Sequence, residues 1–205
     1  SEGALLITVV GLAGASALLV GLGWPTARLL AFGEAARGGI GPLAHTLIGF
    51  GSTLVLVGLV WVLTRMLFSV DDARGAALTS VVLAASGAIC MGVAADVATR
   101  SDRAPALAIG FGAAHLAGVV AMAVRYRRRS GWLGVRSWWR PAVGSLVAAA
   151  ASAAVMLELA DRFPTSRPGA LGAVLVGVPV GLAVFGLLTR VLGGRSLRSL
   201  AQWAA

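Results

Sequence analysis

Six stretches of this chain contain no Asp, Glu, Lys or Arg: Gly3–Ala27, Gly38–Thr64, Gly75–Ala95, Ala104–Val124, Pro141–Leu157 and Pro168–Thr189. Their lengths are 25, 27, 21, 21, 17 and 22 residues. A helix that crosses the hydrocarbon core of a bilayer needs about 20 mostly apolar residues. The shortest run meets that need by extending through Glu158 to Ala160. In lipid, backbone polar groups are satisfied only by helices or closed barrels. Barrel strands alternate in polarity over segments of about 10 residues. Leu54–Val57 and Val147–Ala150 do not alternate. The pattern predicts an all-α, polytopic membrane protein with six transmembrane helices.

Composition excludes the rival classes. Hydrophobic residues make up 58% of the 205, a further 28 are Gly, and only 12% are charged. That charge is about half the share of a soluble domain. A disordered chain is poor in apolar residues, and the Gly here follow no collagen-like period of three. The first run is not expected to be a signal peptide: it is long for an apolar h-region, and Glu2 is the only early charge in the sequence given. The chain opens on Ser1 rather than Met, which reads as a piece of a longer chain. The single Cys90 has no internal disulfide partner and no metal-ligand spacing.

The scarce charges give direction. All 17 basic residues are Arg. With six alternating helices, eleven of them (65, 74, 125, 127, 128, 129, 136, 140, 190, 195 and 198) share one side, and six (28, 37, 100, 103, 162 and 167) lie on the other. The excess marks the cytoplasmic side, so both termini are expected in the cytoplasm. The densest patch, Arg125 with Arg127, Arg128 and Arg129, is followed by Trp132, Trp138 and Trp139. Basic residues favour an anionic leaflet and Trp favours the headgroup level. The expectation is an interfacial segment that sets topology, with a lipid-headgroup site as the more specific alternative. The net charge of +9 does not imply nucleic acid, because no soluble domain presents a basic face. The tail from Arg195 to Trp203 is amphipathic and is expected on the cytoplasmic surface.

Ionisable groups inside the membrane are functional candidates by default. His115, midway through the fourth run, is a candidate substrate or proton site, with a hydrogen bond to a neighbouring helix as the plainer alternative. Asp96 and Arg100 stand four apart, an i,i+4 pair on a continuing helix or the lining of a solvated cavity. His45 reads as interfacial, and Glu158 and Asp161 as an ion pair with Arg162. Catalytic patterns are lacking: no Gly-x-Ser-x-Gly elbow, no phosphate loop ending in Lys, and two His with no acidic cluster for a metal. Covalent catalysis, cofactors and metals are not expected. Gly177-Val178-Pro179-Val180-Gly181 is a small-xxx-small step suited to close helix approach.

The turn Arg65-Met66-Leu67-Phe68-Ser69-Val70-Asp71-Asp72-Ala73-Arg74 resembles a stretch of the MurJ (MviN) family of lipid II flippases, in the multidrug/oligosaccharidyl-lipid/polysaccharide exporter superfamily. In that family a helix ends in Arg, two aromatics and a small residue, and Asp-Thr-Arg-Thr-Pro opens the next. Arg65, Phe68, Asp72 and Arg74 match; Leu67 replaces an aromatic, Ala73 the Thr, and Gly75-Ala76 the Thr-Pro. Asp72 suits the N-cap of the following helix, and Arg74 suits a phosphate at the membrane surface. The resemblance aligns the six runs with the last six of the family's fourteen helices. It implies a partial transporter that flips a lipid-linked peptidoglycan precursor by alternating access. This chain would supply scaffold and lipid-tail surface, and an N-terminal lobe would supply the headgroup site. Residues 1–125 would then be part of the second lobe, 126–141 the interfacial connection, 142–192 the terminal helix pair and 193–205 the tail. The alternative is a stand-alone six-helix binding or scaffold protein. An intramembrane enzyme using His115 is the third possibility.

Overall fold

A computed structural model describes residues 2–33, 39–99, 103–130 and 135–193. Arg100, Trp132 and the tail from 194 onward lie outside the described residues, as does the side chain of Trp138. Seven helices account for the described elements: α1 (Glu2–Gly21), α2 (Gly23–Leu30), α3 (Ile40–Ser69), α4 (Ala73–Val97), α5 (Arg103–Ser130), α6 (Val135–Ala160) and α7 (Arg167–Gly193). All but α2 are long and apolar enough to cross a membrane. The chain is an all-α, multi-pass membrane protein.

The seventh helix comes from a bend in the first uncharged run, which the sequence reads as one helix. Pro25 lacks an N–H, and its ring collides with the carbonyl four residues back, here that of Gly21. The chain turns at Leu22 (φ −112, ψ 16) and α2 restarts with Pro25 in its first turn, where proline is tolerated.

The spanning helices stand in single file, in the spatial order α4, α5, α3, α1, α6, α7, each packed mainly on its neighbours. The short α2 lies across one end, against α3 and α7. Burial is least at the two ends of the file: 17% of the membrane window in α7 and 11% in α4 is buried, against 28–44% in the four helices between them.

Small residues set the spacing. Met156 of α6, fully buried, wedges between Gly21 of α1 and Gly181 of α7; a Cβ at Gly21 would lie 2.7 Å from the Met156 Cβ. Gly177 likewise accommodates Leu22, so the 177–181 step is a packing surface. Ser152 donates a 2.6 Å hydrogen bond across the same seam to the carbonyl of Gly181. At the other side of the file, Gly110 of α5 lies against the backbone of Cys90 and Met91 in α4. At one end of the bundle Leu5, Leu63, Leu67, Met122 and Tyr126 form a cluster joining α1, α3 and α5.

Most of the predicted interfacial segment 126–141 is helix. Helix α5 runs on to Ser130, with Arg127, Arg128 and Arg129 in its last turn, and α6 begins at Val135. Arg is a good helix former, and cations are favourable at a helix C-terminus.

Candidate functional site

The residues of the 65–74 motif fold as the α3–α4 turn. The end of α3 is a Schellman closure: the Asp71 N–H donates to the Phe68 carbonyl (3.1 Å) and the Asp72 N–H to the Leu67 carbonyl (3.0 Å). Glycine is usual at the left-handed position of this motif. Here Asp71 takes it, at φ 54, and a short polar side chain bears that conformation better than most.

Asp72 then caps α4, accepting from the Gly75 N–H at 3.0 Å, as the sequence predicts. It does more than cap. Its carboxylate is bidentate with Arg125 of α5, whose Nε donates to Oδ2 at 2.6 Å and whose terminal nitrogen donates to Oδ1 at 3.0 Å. The Arg129 Nε lies 3.7 Å from Oδ2. The Asp72 side chain is only 2% exposed, whereas that of Arg125 is 35% exposed. The Arg125 hydrogen bond holds the Asp72 carboxyl below its ordinary pKa of 3.8 against the opposing effect of burial, with help from the Gly75 N–H and from the charges of Arg125 and Arg129. These are the ion pairs among the described residues.

Gly75 makes room for this clamp. A Cβ there would collide with the Asp72 carboxylate and lie 2.7 Å from the Arg125 Nε. The other motif residues do not converge. Arg65, Phe68 and Arg74 are exposed around the buried Asp72. Arg127 and Arg128 are exposed on the neighbouring end of α5. Trp139 is 45% exposed, with the Arg140 guanidinium 5.7 Å from its ring.

His115 Nδ1 lies 2.9 Å from the Phe111 carbonyl one turn back. A carbonyl only accepts, so this nitrogen carries the proton. The ring also packs on Phe111, which meets Phe50 edge-on. The bond is within α5 and not to a neighbouring helix. Asp96 is exposed in the last turn of α4, and the helix ends at Val97 with Ala98 extended. The continuing helix that an Asp96–Arg100 pair needs is therefore not formed. Glu158 and Arg162 line one shallow cleft without meeting as an ion pair. Helix α6 ends at Ala160, which takes Arg162 out of i,i+4 register. His45 is exposed and packs edge-on against Trp24 at 5.5 Å, in keeping with an interfacial position.

The Arg125 partner was not legible locally, because 53 residues separate it from Asp72. A signal did exist: on the Arg-rich side of the chain, Asp71 and Asp72 are the only acids in a connecting turn. Chemically the site is a carboxylate locked between two guanidinium groups, suited to holding two helices in place and to presenting the exposed Arg around it. Among the described residues, no group of three or more His, Cys, Asp or Glu comes together to hold a metal. No family model, curated protein or solved structure matches the chain.

Proposed function

We propose that this chain is the later part of a MurJ-like transporter of a lipid-linked cell-wall precursor. It would supply lobe scaffold and lipid-facing surface to an alternating-access machine. The observation that carries this reading is the α3–α4 turn. The motif's Asp72 is clamped from below by Arg125, and its Arg65 and Arg74 are left exposed at the same end of the bundle. A rigid turn with free guanidinium groups suits repeated encounters with lipid phosphates. The thinly buried α4 and α7 at the ends of the file supply flanks on which acyl chains or a further lobe can lie. The excess of Arg at the Asp72 end supports a cytoplasmic position for that end and both termini, in a bacterial inner membrane.

The test is rescue of a strain depleted of its lipid II flippase by the natural gene product containing this chain. Rescue that fails with Asp72→Ala and returns with the charge-swapped pair Asp72→Arg and Arg125→Asp supports the proposal. Failure of the unaltered, membrane-inserted product to rescue would refute it. The stand-alone scaffold reading is favoured by a different fact: the ionic contacts among the described residues all serve to join helices. It predicts no rescue and a stable, monodisperse protein on purification.

A further inference from the structure

At the end of the bundle opposite the Asp72 clamp, a cleft of about 300 Å³ is lined by Trp24, Pro25 and Arg28 of α2 and by Ala160 and Asp161 where α6 ends. That volume is at the small end of ligand pockets, which run from about 300 to 1,000 Å³. It suits a headgroup and not a whole lipid.

The two charges in this cleft are opposite and do not meet. Neither Arg28 nor Asp161 is in an ion pair or a side-chain hydrogen bond among the described residues. The fold fixes the backbone at both, and the exposed Asp161 side chain is open to a ligand. Arg28 is half-buried on a helix whose Pro25 and Ala27 are buried, and the next turn of chain is tied down where Arg167 of α7 donates to the Ala31 carbonyl and stacks over Phe32 at 4.5 Å. Asp161 is held in the closing turn of α6, its N–H donating to the Leu157 carbonyl at 3.1 Å. Trp24, 37% exposed, forms one wall, and such a ring sits at headgroup depth in a membrane.

A cation and an anion held apart across a small cleft, beside an aromatic at the lipid–water boundary, are complementary to a zwitterion. We infer that this cleft binds an ammonium–phosphate zwitterion, as in the headgroup of phosphatidylethanolamine. The phosphate lies against the Arg28 guanidinium, a donor fork matched to phosphate oxygens. The primary ammonium lies against the Asp161 carboxylate, which accepts its hydrogen bonds. Phosphatidylglycerol lacks the cation. Phosphatidylcholine carries a cation without N–H groups, so neither satisfies both sides. This inference does not depend on the transport reading, and either can fail without the other.

The experiment is native mass spectrometry of the purified chain in micelles containing equal amounts of phosphatidylethanolamine, phosphatidylglycerol and phosphatidylcholine with the same acyl chains. The expected result is preferential retention of phosphatidylethanolamine by about fivefold, the scale of one partly exposed ion pair. Arg28→Gln and Asp161→Asn should each abolish the preference while leaving the detergent-unfolding midpoint unchanged. Equal retention of the three lipids, or an unaltered preference in both variants, overturns the inference. If a variant fails to fold, competition on the unmodified protein decides. Soluble glycerophosphoethanolamine should compete only at far higher concentration than the lipid. Competition at equal concentration would assign the cleft to a free zwitterion and overturn the lipid assignment.

Discussion

Replacing Gly110 by Ala adds one methyl at the α4–α5 seam and tests how closely the two backbones approach. The new Cβ would lie 2.8 Å from the Cys90 carbonyl oxygen, 3.0 Å from its carbon and 3.1 Å from the Met91 Cα. All three are backbone atoms, so no rotamer change relieves them and α4 must move. Overpacking of this kind costs about 1–3 kcal/mol. Ala also favours the helix over Gly by about 0.8–1 kcal/mol, which masks part of the cost. Gly92→Ala removes the mask. It makes the same exchange inside α4, where a Cβ meets nothing within 4 Å. Subtracting one variant from the other cancels the propensity gain and leaves the steric cost of about 1–3 kcal/mol. Reversible unfolding in mixed micelles, read as the free energy of each variant, measures that difference. A Gly110→Ala protein as stable as Gly92→Ala would refute the backbone contact between α4 and α5.

The Asp72 clamp predicts an order among variants: Asp72→Asn keeps a capping side chain and loses the charge, whereas Asp72→Ala loses both, so unfolding midpoints should fall from Asp to Asn to Ala. The pH dependence has a definite sign. Because the folded carboxyl titrates below 3.8, its stabilisation is fully present above that pH and is lost as pH falls through the lower folded value. Acid titration of the melting midpoint should therefore show a limb below pH 3.8 that is flattened in Asp72→Asn. Asp71→Val forces a β-branched residue into the left-handed region and should cost about 1–2 kcal/mol by the same unfolding measurement, a cost absent in Asp71→Gly. Ser152→Ala removes the bond to the Gly181 carbonyl and should cost about 0.6–1.7 kcal/mol, which steric trapping in bicelles can resolve.

The six spans were legible because lipid leaves a chain few options, and uncharged length is a direct record of that constraint. The Asp72 cap was legible too, since a cap acts over three residues. What the sequence hid were the relations between distant elements. The file order of the helices depends on which small residues face which neighbours, and apolar stripes carry no address. Met156 between Gly21 and Gly181 cannot be found from any one helix. Nor can Arg125, which reads locally as one more cation in a basic run and turns out to be the partner of Asp72. The bend before α2 depended on the carbonyl four residues behind Pro25, a backbone detail inside a run that looked uniform. His115 looked like a lone intramembrane imidazole because its acceptor is a main-chain carbonyl, which no side-chain pattern reveals.

The single file has a consequence for how the protein is made. Helix α4 is joined to α3 by a tight turn, yet packs mainly on α5, which is synthesised after both. The clamp that fixes their turn waits for Arg125, 53 residues beyond Asp72. At about 5–20 residues per second, α4 spends roughly 3–10 s without its ionic partner. During that interval it must be sheltered by the insertion machinery or lie alone in lipid. Likewise α1 gains its neighbour α3 early but its neighbour α6 only after α4 and α5 have been made. The α1–α3 pair can therefore form early, and a ribosome stalled before α5 would leave α4 inserted without the helix it packs on.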